Sequence, residues 1–143
     1  MMKPPLLPHG PGFRLIDAVS DLQPGPALTA TVWLNPAWPV FADHFPGNPL
    51  LPAVYAMEMA AQAGGALWAA HAGFPPAEPL RLVEVRQFRV RLSARPGESL
   101  VIRVKMEADW KKLALFSAVM ERDQDTIAEG TLVLAAAESV KPD

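Results

Sequence analysis

The sequence predicts an α+β domain in which an antiparallel sheet wraps around one long helix. The stretch Pro52 to Ala70 has helical length and is apolar or small at every position except Glu58 and Gln62. On both sides of it the chain alternates apolar and polar residues with the period of two that marks strands. Helices do not alternate with strands, so a doubly wound parallel sheet is excluded. The 143 residues fit a single domain, 1–143. At this size folding removes roughly two-thirds of the chain's surface from water, enough for a core without staples.

Taken in order, the first dozen residues (1–12) are rich in Pro and Gly and read as irregular. Phe13 to Val19 fits a short strand or a helical turn. Leu28, Ala30, Val32 and Leu34 alternate with Thr29, Thr31 and Trp33, which predicts a strand. Asn35 to Leu51 reads as a loop stiffened by Pro46 and Pro49. Pro52 suits the first turn of the long helix, which runs to about His71 and stops at Gly73. Beyond Pro79 the period returns to two. Val83 and Val85 face one way, but Phe88, Val90 and Leu92 form the next apolar set. That odd offset predicts one extra residue near Gln87, a β-bulge. Leu100 to Glu107, Leu113 to Glu121 and Thr126 to Ala135 complete four strands after the helix. A helix apolar all round must be enclosed, and a second copy of the chain is the simplest cover for its outer side.

Composition narrows the function. There are no cysteines, which excludes disulfides, thiolate nucleophiles and Cys-metal sites and suits a reducing, cytoplasmic setting. Net charge is -2 without a like-charge run, so nothing points to nucleic acid. Leu50 to Ala70 has the length of a membrane span. Alanine is its commonest residue and it carries Pro52 and Glu58, so the expectation is no membrane. Three scattered histidines predict no metal site.

The chemistry concentrates in His44-Phe45-Pro46-Gly47-Asn48-Pro49-Leu50-Leu51-Pro52, followed by Glu58-Met59-Ala60-Ala61-Gln62. A carboxyl in an apolar helix is costly unless paired or protonated. A histidine within its reach would let the pair move protons at both ends of a substrate. These residues resemble the signature HFPGxPxxPG, then EAxAQ, of the FabZ-type 3-hydroxyacyl-[acyl-carrier-protein] dehydratases, which have the hotdog fold. Glu58 follows His44 by fourteen positions, the family's spacing. Leu7-Pro8-His9 with Phe13, Leu15, Ile16 and Asp17 is similar to the family's LPHRYPFLLVD segment, and Arg95-Pro96-Gly97-Glu98 to its PGD turn. The chain departs from the pattern at Ala53 and Asp43, where the family has glycine, and at Gly10 and Pro11, where it has arginine and tyrosine.

The resemblance implies a homodimeric hotdog domain, with dimers that assemble into hexamers. It implies that His44 of one chain faces Glu58 of the other. The substrate it implies is a 3-hydroxyacyl thioester on acyl carrier protein, which loses water to give the trans-2-enoyl product in fatty-acid or related polyene synthesis, with no cofactor. In chemical terms, neutral His44 would take a proton from C2. Glu58, set among Val54, Ala61 and Gly65, is expected to be raised in pKa by desolvation and to donate to the departing C3 hydroxyl. The Ala53 amide, at the start of the helix, would stabilise the thioester oxygen. Gln62, one turn after Glu58, would hydrogen-bond it or hold water. Phe45 and Tyr55 are candidate gates to the substrate site.

His9 reads as structural and His71 as a helix-end residue. Arg89, Arg91 and Arg95 share one side of a strand and its turn, as a solvated face or a landing site for an acidic carrier protein. Two other functions fit the same fold: an acyl thioesterase using Glu58 to activate water, and a non-catalytic acyl-binding partner subunit.

Overall fold

A computed structural model describes residues 2–5, 7–20, 27–75 and 78–136. Six strands form one antiparallel sheet: β1 (Ala18–Ser20), β2 (Ala27–Trp33), β3 (Arg81–Val90), β4 (Ser99–Asp109), β5 (Leu113–Arg122) and β6 (Asp125–Ala135). The spatial order is β1-β2-β4-β5-β6-β3. The helix α2 (Ala53–Ala72) lies against β2 through β6, in the wrapped arrangement expected from the pattern.

Alternation places the core. Leu100, Ile102, Val104 and Met106 of β4 are buried, as are Ala114, Phe116, Ala118 and Met120 of β5. They meet Met59, Leu67 and Trp68 of α2, and the Trp68 ring stands edge-on to Phe116 at 6.2 Å between centroids. The predicted bulge is present. The β3–β6 register shifts between Arg86 and Arg89, and Gln87 has a φ of 52°. A second shift lies between Leu82 and Glu84. The bulge presses β3 onto β6 so closely that a methyl on Gly130 would sit 2.5 Å from the Phe88 Cα. Only glycine fits there.

Three expectations are adjusted. Pro52 is the N-cap of α2, with extended backbone, rather than its first turn. Gly73 ends the helix in the left-handed conformation, as expected. The Pro-rich segment 35–51 contains a short helix α1 (Val40–Asp43), because Phe41 finds a buried seat and stacks on Trp38. The first dozen residues are not wholly irregular. Lys3 pairs with Val19, and Pro11–Phe13 form a 3₁₀ turn.

The largest difference concerns the far side of α2. Met59 to Trp68 are buried at every position within the single chain. The N-terminal segment supplies the cover, with Leu7, Leu15 and Ile16 buried against the same core. What stays open is the two ends of the helix: Val54 in the first turn is 66% exposed, and Ala70, His71 and Ala72 in the last are exposed too.

Gly130→Ala is expected to destabilise the domain by about 2 kcal/mol through overpacking. Gly10→Ala, where the added carbon meets nothing within 4 Å, should be neutral. Urea unfolding of the two variants measures the difference.

Candidate active site

The site is built from two loops and one helix end. His44 follows α1, and its backbone amide donates to the Val40 carbonyl at 2.9 Å. The next residues turn back sharply. The Asn48 amide donates to the Phe45 carbonyl at 2.8 Å across Pro46 and Gly47, and Gly47 has a φ of 73°. Proline then glycine at the two central positions is what such a turn demands. The Leu50 amide donates to the His44 carbonyl at 2.8 Å. The loop is held to the β3–β4 connection by Leu51 N–H to Ala94 O, 2.8 Å, and by Arg95 Nη1 to Asn48 Oδ1, 3.1 Å.

This frame orients the imidazole. His44 Nδ1 lies 3.0 Å from the Leu50 carbonyl oxygen. A carbonyl can only accept, so Nδ1 carries the proton and Nε2 is left with its lone pair. Phe45, 49% exposed, stacks on the imidazole at 4.0 Å between centroids.

Glu58 stands elsewhere in the chain. Gln62, one turn on, donates from Nε2 to Glu58 Oε1 at 3.1 Å, as the i,i+4 spacing predicts. The amide of Gln62 is itself fixed. Its Oε1 accepts from Leu15 N–H at 2.9 Å and its Nε2 donates to the Phe13 carbonyl at 2.8 Å. Gln62 is 2% exposed, and these bonds satisfy it. His9 Nε2 lies 3.5 Å from the same Glu58 oxygen.

The surroundings of Glu58 therefore differ from the apolar setting expected. Ala61 and Gly65 do line its cleft, but Val54 points into solvent, Gln62 donates to the carboxyl, and an imidazole nitrogen stands 3.5 Å from it. Its side chain is 24% exposed in the single chain. The cleft runs along one stripe of α2, Glu58, Ala61, Gln62, Gly65 and Ala69. Leu7, Pro8 and His9 close one wall, and Glu78, Leu80 and Leu82 the other. No residue of the 44–51 loop lines it.

Of the remaining candidates, Ala53 is the first residue of α2 and its φ is not positive, so the methyl is accommodated. Amides at this position have no acceptor within the helix. Tyr55 is half-buried, its ring edge-on to Phe13 at 6.4 Å. The three arginines do not form one free patch. Arg91 pairs with Glu129, and Arg95 holds the Asn48 loop. His9 is the cleft residue that the residue pattern did not bring to Glu58. The Leu7-Pro8-His9 match was the available signal, but no spacing rule links position 9 to position 58.

A family model described as ApeI dehydratase, ApeI-like, matches residues 21–131. The FabZ 3-hydroxyacyl-[acyl-carrier-protein] dehydratase of Symbiobacterium thermophilum is 32% identical over 138 residues, 96% of each chain. That of Klebsiella pneumoniae is 33% identical over 131 residues, 91% of this chain and 87% of the relative. Among solved structures, the ApeI:P dehydratase heterocomplex from Xenorhabdus doucetiae superposes with a TM-score of 0.79 at 20% identity, covering 96% of this chain and 93% of that one. A hypothetical thioesterase with coenzyme A from Streptococcus pneumoniae superposes at 0.63 with 7% identity, covering 83% of this chain and 84% of its own.

Gln62→Leu leaves the Leu15 amide and Phe13 carbonyl unpaired and is expected to cost about 2–3 kcal/mol. Chemical denaturation measures it, and a change below about 0.5 kcal/mol would contradict the latch. The fold, the sequence identity over almost the whole length and the matched signature give one conclusion: the chain belongs to the ApeI-like, FabZ-related dehydratase family.

Proposed function

We propose that the protein dehydrates a 3-hydroxyacyl thioester carried on acyl carrier protein, giving the trans-2-enoyl thioester. The observation that carries the reading is the orientation of His44, whose Nδ1 is tied to the Leu50 carbonyl so that Nε2 is free to act as a base. In the reaction, Nε2 takes a proton from C2. The electron pair of that C–H bond forms the C2=C3 double bond. The C3–O bond breaks, and the departing oxygen receives a proton from Glu58 and leaves as water. The Ala53 amide faces the charge that develops on the thioester oxygen. The acyl chain extends along the cleft beside Ala61 and Gly65. Phe45 and Tyr55 flank the two halves of the site.

The two catalytic groups meet across a homodimer. What supports this is that no residue of the 44–51 loop lines the Glu58 cleft, together with exposed valines on the last strand of the sheet. β3 ends the sheet, and Val83, Val85 and Val90 on it are exposed by 48%, 37% and 44%. A strand at the edge of a sheet is a template for pairing. Among the described residues no helix is long and apolar enough to cross a membrane. With a cysteine-free chain, this suits an enzyme working beside its carrier protein in the cytoplasm.

His44→Ala and Glu58→Gln are each expected to lower kcat by at least about a hundredfold, the share of a general base or acid. Enoyl-thioester absorbance from a 3-hydroxyacyl-carrier substrate follows the reaction. Release of free thiol without enoyl product would identify a thioesterase instead. Turnover unchanged in His44→Ala would contradict the assignment. Ala53→Gly is expected to change kcat/KM by less than about tenfold, because a helical position tolerates either residue.

A further inference from the structure

Two nitrogens face the same oxygen of Glu58. Gln62 Nε2 donates to Oε1 at 3.1 Å, and His9 Nε2 stands 3.5 Å from that atom. No described residue bonds the other oxygen, Oε2. The other imidazole nitrogen of His9, Nδ1, is buried and has no partner. An N–H there would be an unsatisfied buried donor, whereas a bare lone pair costs less. The proton is therefore assigned to Nε2, the ring nitrogen that stands beside Glu58. The other charged groups placed here are Glu78, which also lines the cleft, and Arg14, whose Nη2 donates to the main-chain carbonyl of His9 at 3.1 Å.

We infer that His9 is a positioning residue for the dehydration: with Gln62 it occupies Oε1 of Glu58 and so directs Oε2 at the substrate hydroxyl. The inference rests on the reading of Glu58 as the proton donor. When the carboxyl holds its proton, two donors at Oε1 leave Oε2 as the only oxygen that can carry it. The proton to be transferred then faces the cleft rather than the protein. A contact of 3.5 Å is long in the absence of substrate, and such contacts shorten when the site fills. Glu58 is consequently oriented by the N-terminal segment twice: through His9 directly, and through the Phe13 and Leu15 backbone by way of Gln62.

The test has a part that needs no substrate. Imidazole nitrogen NMR, with the His9 signals assigned by their loss in His9→Gln, reports the tautomer. The expected result is a proton on Nε2 and a changed His9 signal in Glu58→Ala. A proton on Nδ1, or a signal indifferent to Glu58→Ala, would overturn the inference. The second part compares kinetics on the 3-hydroxyacyl-carrier substrate. His9→Phe, which keeps the ring but has no donor, should lower kcat by about tenfold, with KM within about twofold and Tm within a few degrees. His9→Gln, whose side-chain amide restores a donor, should recover most of the loss. Wild-type kcat in His9→Phe, or equal losses in both variants at unchanged Tm, would overturn it. If the reading of Glu58 itself fails, the sign is different: wild type then shows no dehydration, and Glu58→Gln matches it.

Discussion

One buried amide organises this protein. Gln62 is the only buried polar side chain among the described residues, and it lies mid-helix where nothing but the chain itself can satisfy it. Its partners come from the backbone at Phe13 and Leu15, almost fifty positions earlier. A half-satisfied amide in that place would cost more than an apolar residue. The N-terminal segment is therefore held in one path across α2. That path closes the far side of the helix, sets His9 in the wall of the cleft, and leaves one amide hydrogen of Gln62 for Glu58. Packing, polar satisfaction and the placement of the Glu58 carboxyl are one arrangement.

The histidine half of the site depends on different contacts. Its loop contains little regular structure, yet few of its backbone groups are idle. The Pro46–Gly47 turn, the His44–Leu50 bridge and the ties to Ala94 and Arg95 define it. The β3–β4 connection that receives these ties is itself fixed. Gly97 N–H donates to Leu34 O, and Arg122 binds the Ser93 carbonyl and Glu98. His44 thus rests on a frame anchored to three strands. Its tautomer follows from a carbonyl within its own loop.

Much of this was legible in the residues. The apolar run from Pro52 sets the helix to within a residue at each end, and the odd offset between Val85 and Phe88 locates the bulge before any strand is placed. Such signals are local, and local periodicity survives folding. What was not legible depends on where irregular chain travels. The cover over α2 was assigned to a second copy because the Pro-rich start has no periodicity from which its path could be read. For the same reason Glu58 was expected among hydrocarbon, and the contact of His9 with Glu58 was not foreseen. The α1 turn was lost in a proline-rich loop, where propensity opposes a helix that the Phe41 contact nonetheless holds.

The central claim is that each active site takes its base from one protomer and its acid from the other. Co-expression of His44→Ala and Glu58→Gln chains carrying different tags, followed by purification through both tags, isolates mixed dimers of two individually inactive chains. A shared site makes one of the two sites whole in each mixed dimer, and the account predicts about half of wild-type activity per dimer. Mixed dimers as inactive as either parent would place both groups within one chain and contradict it.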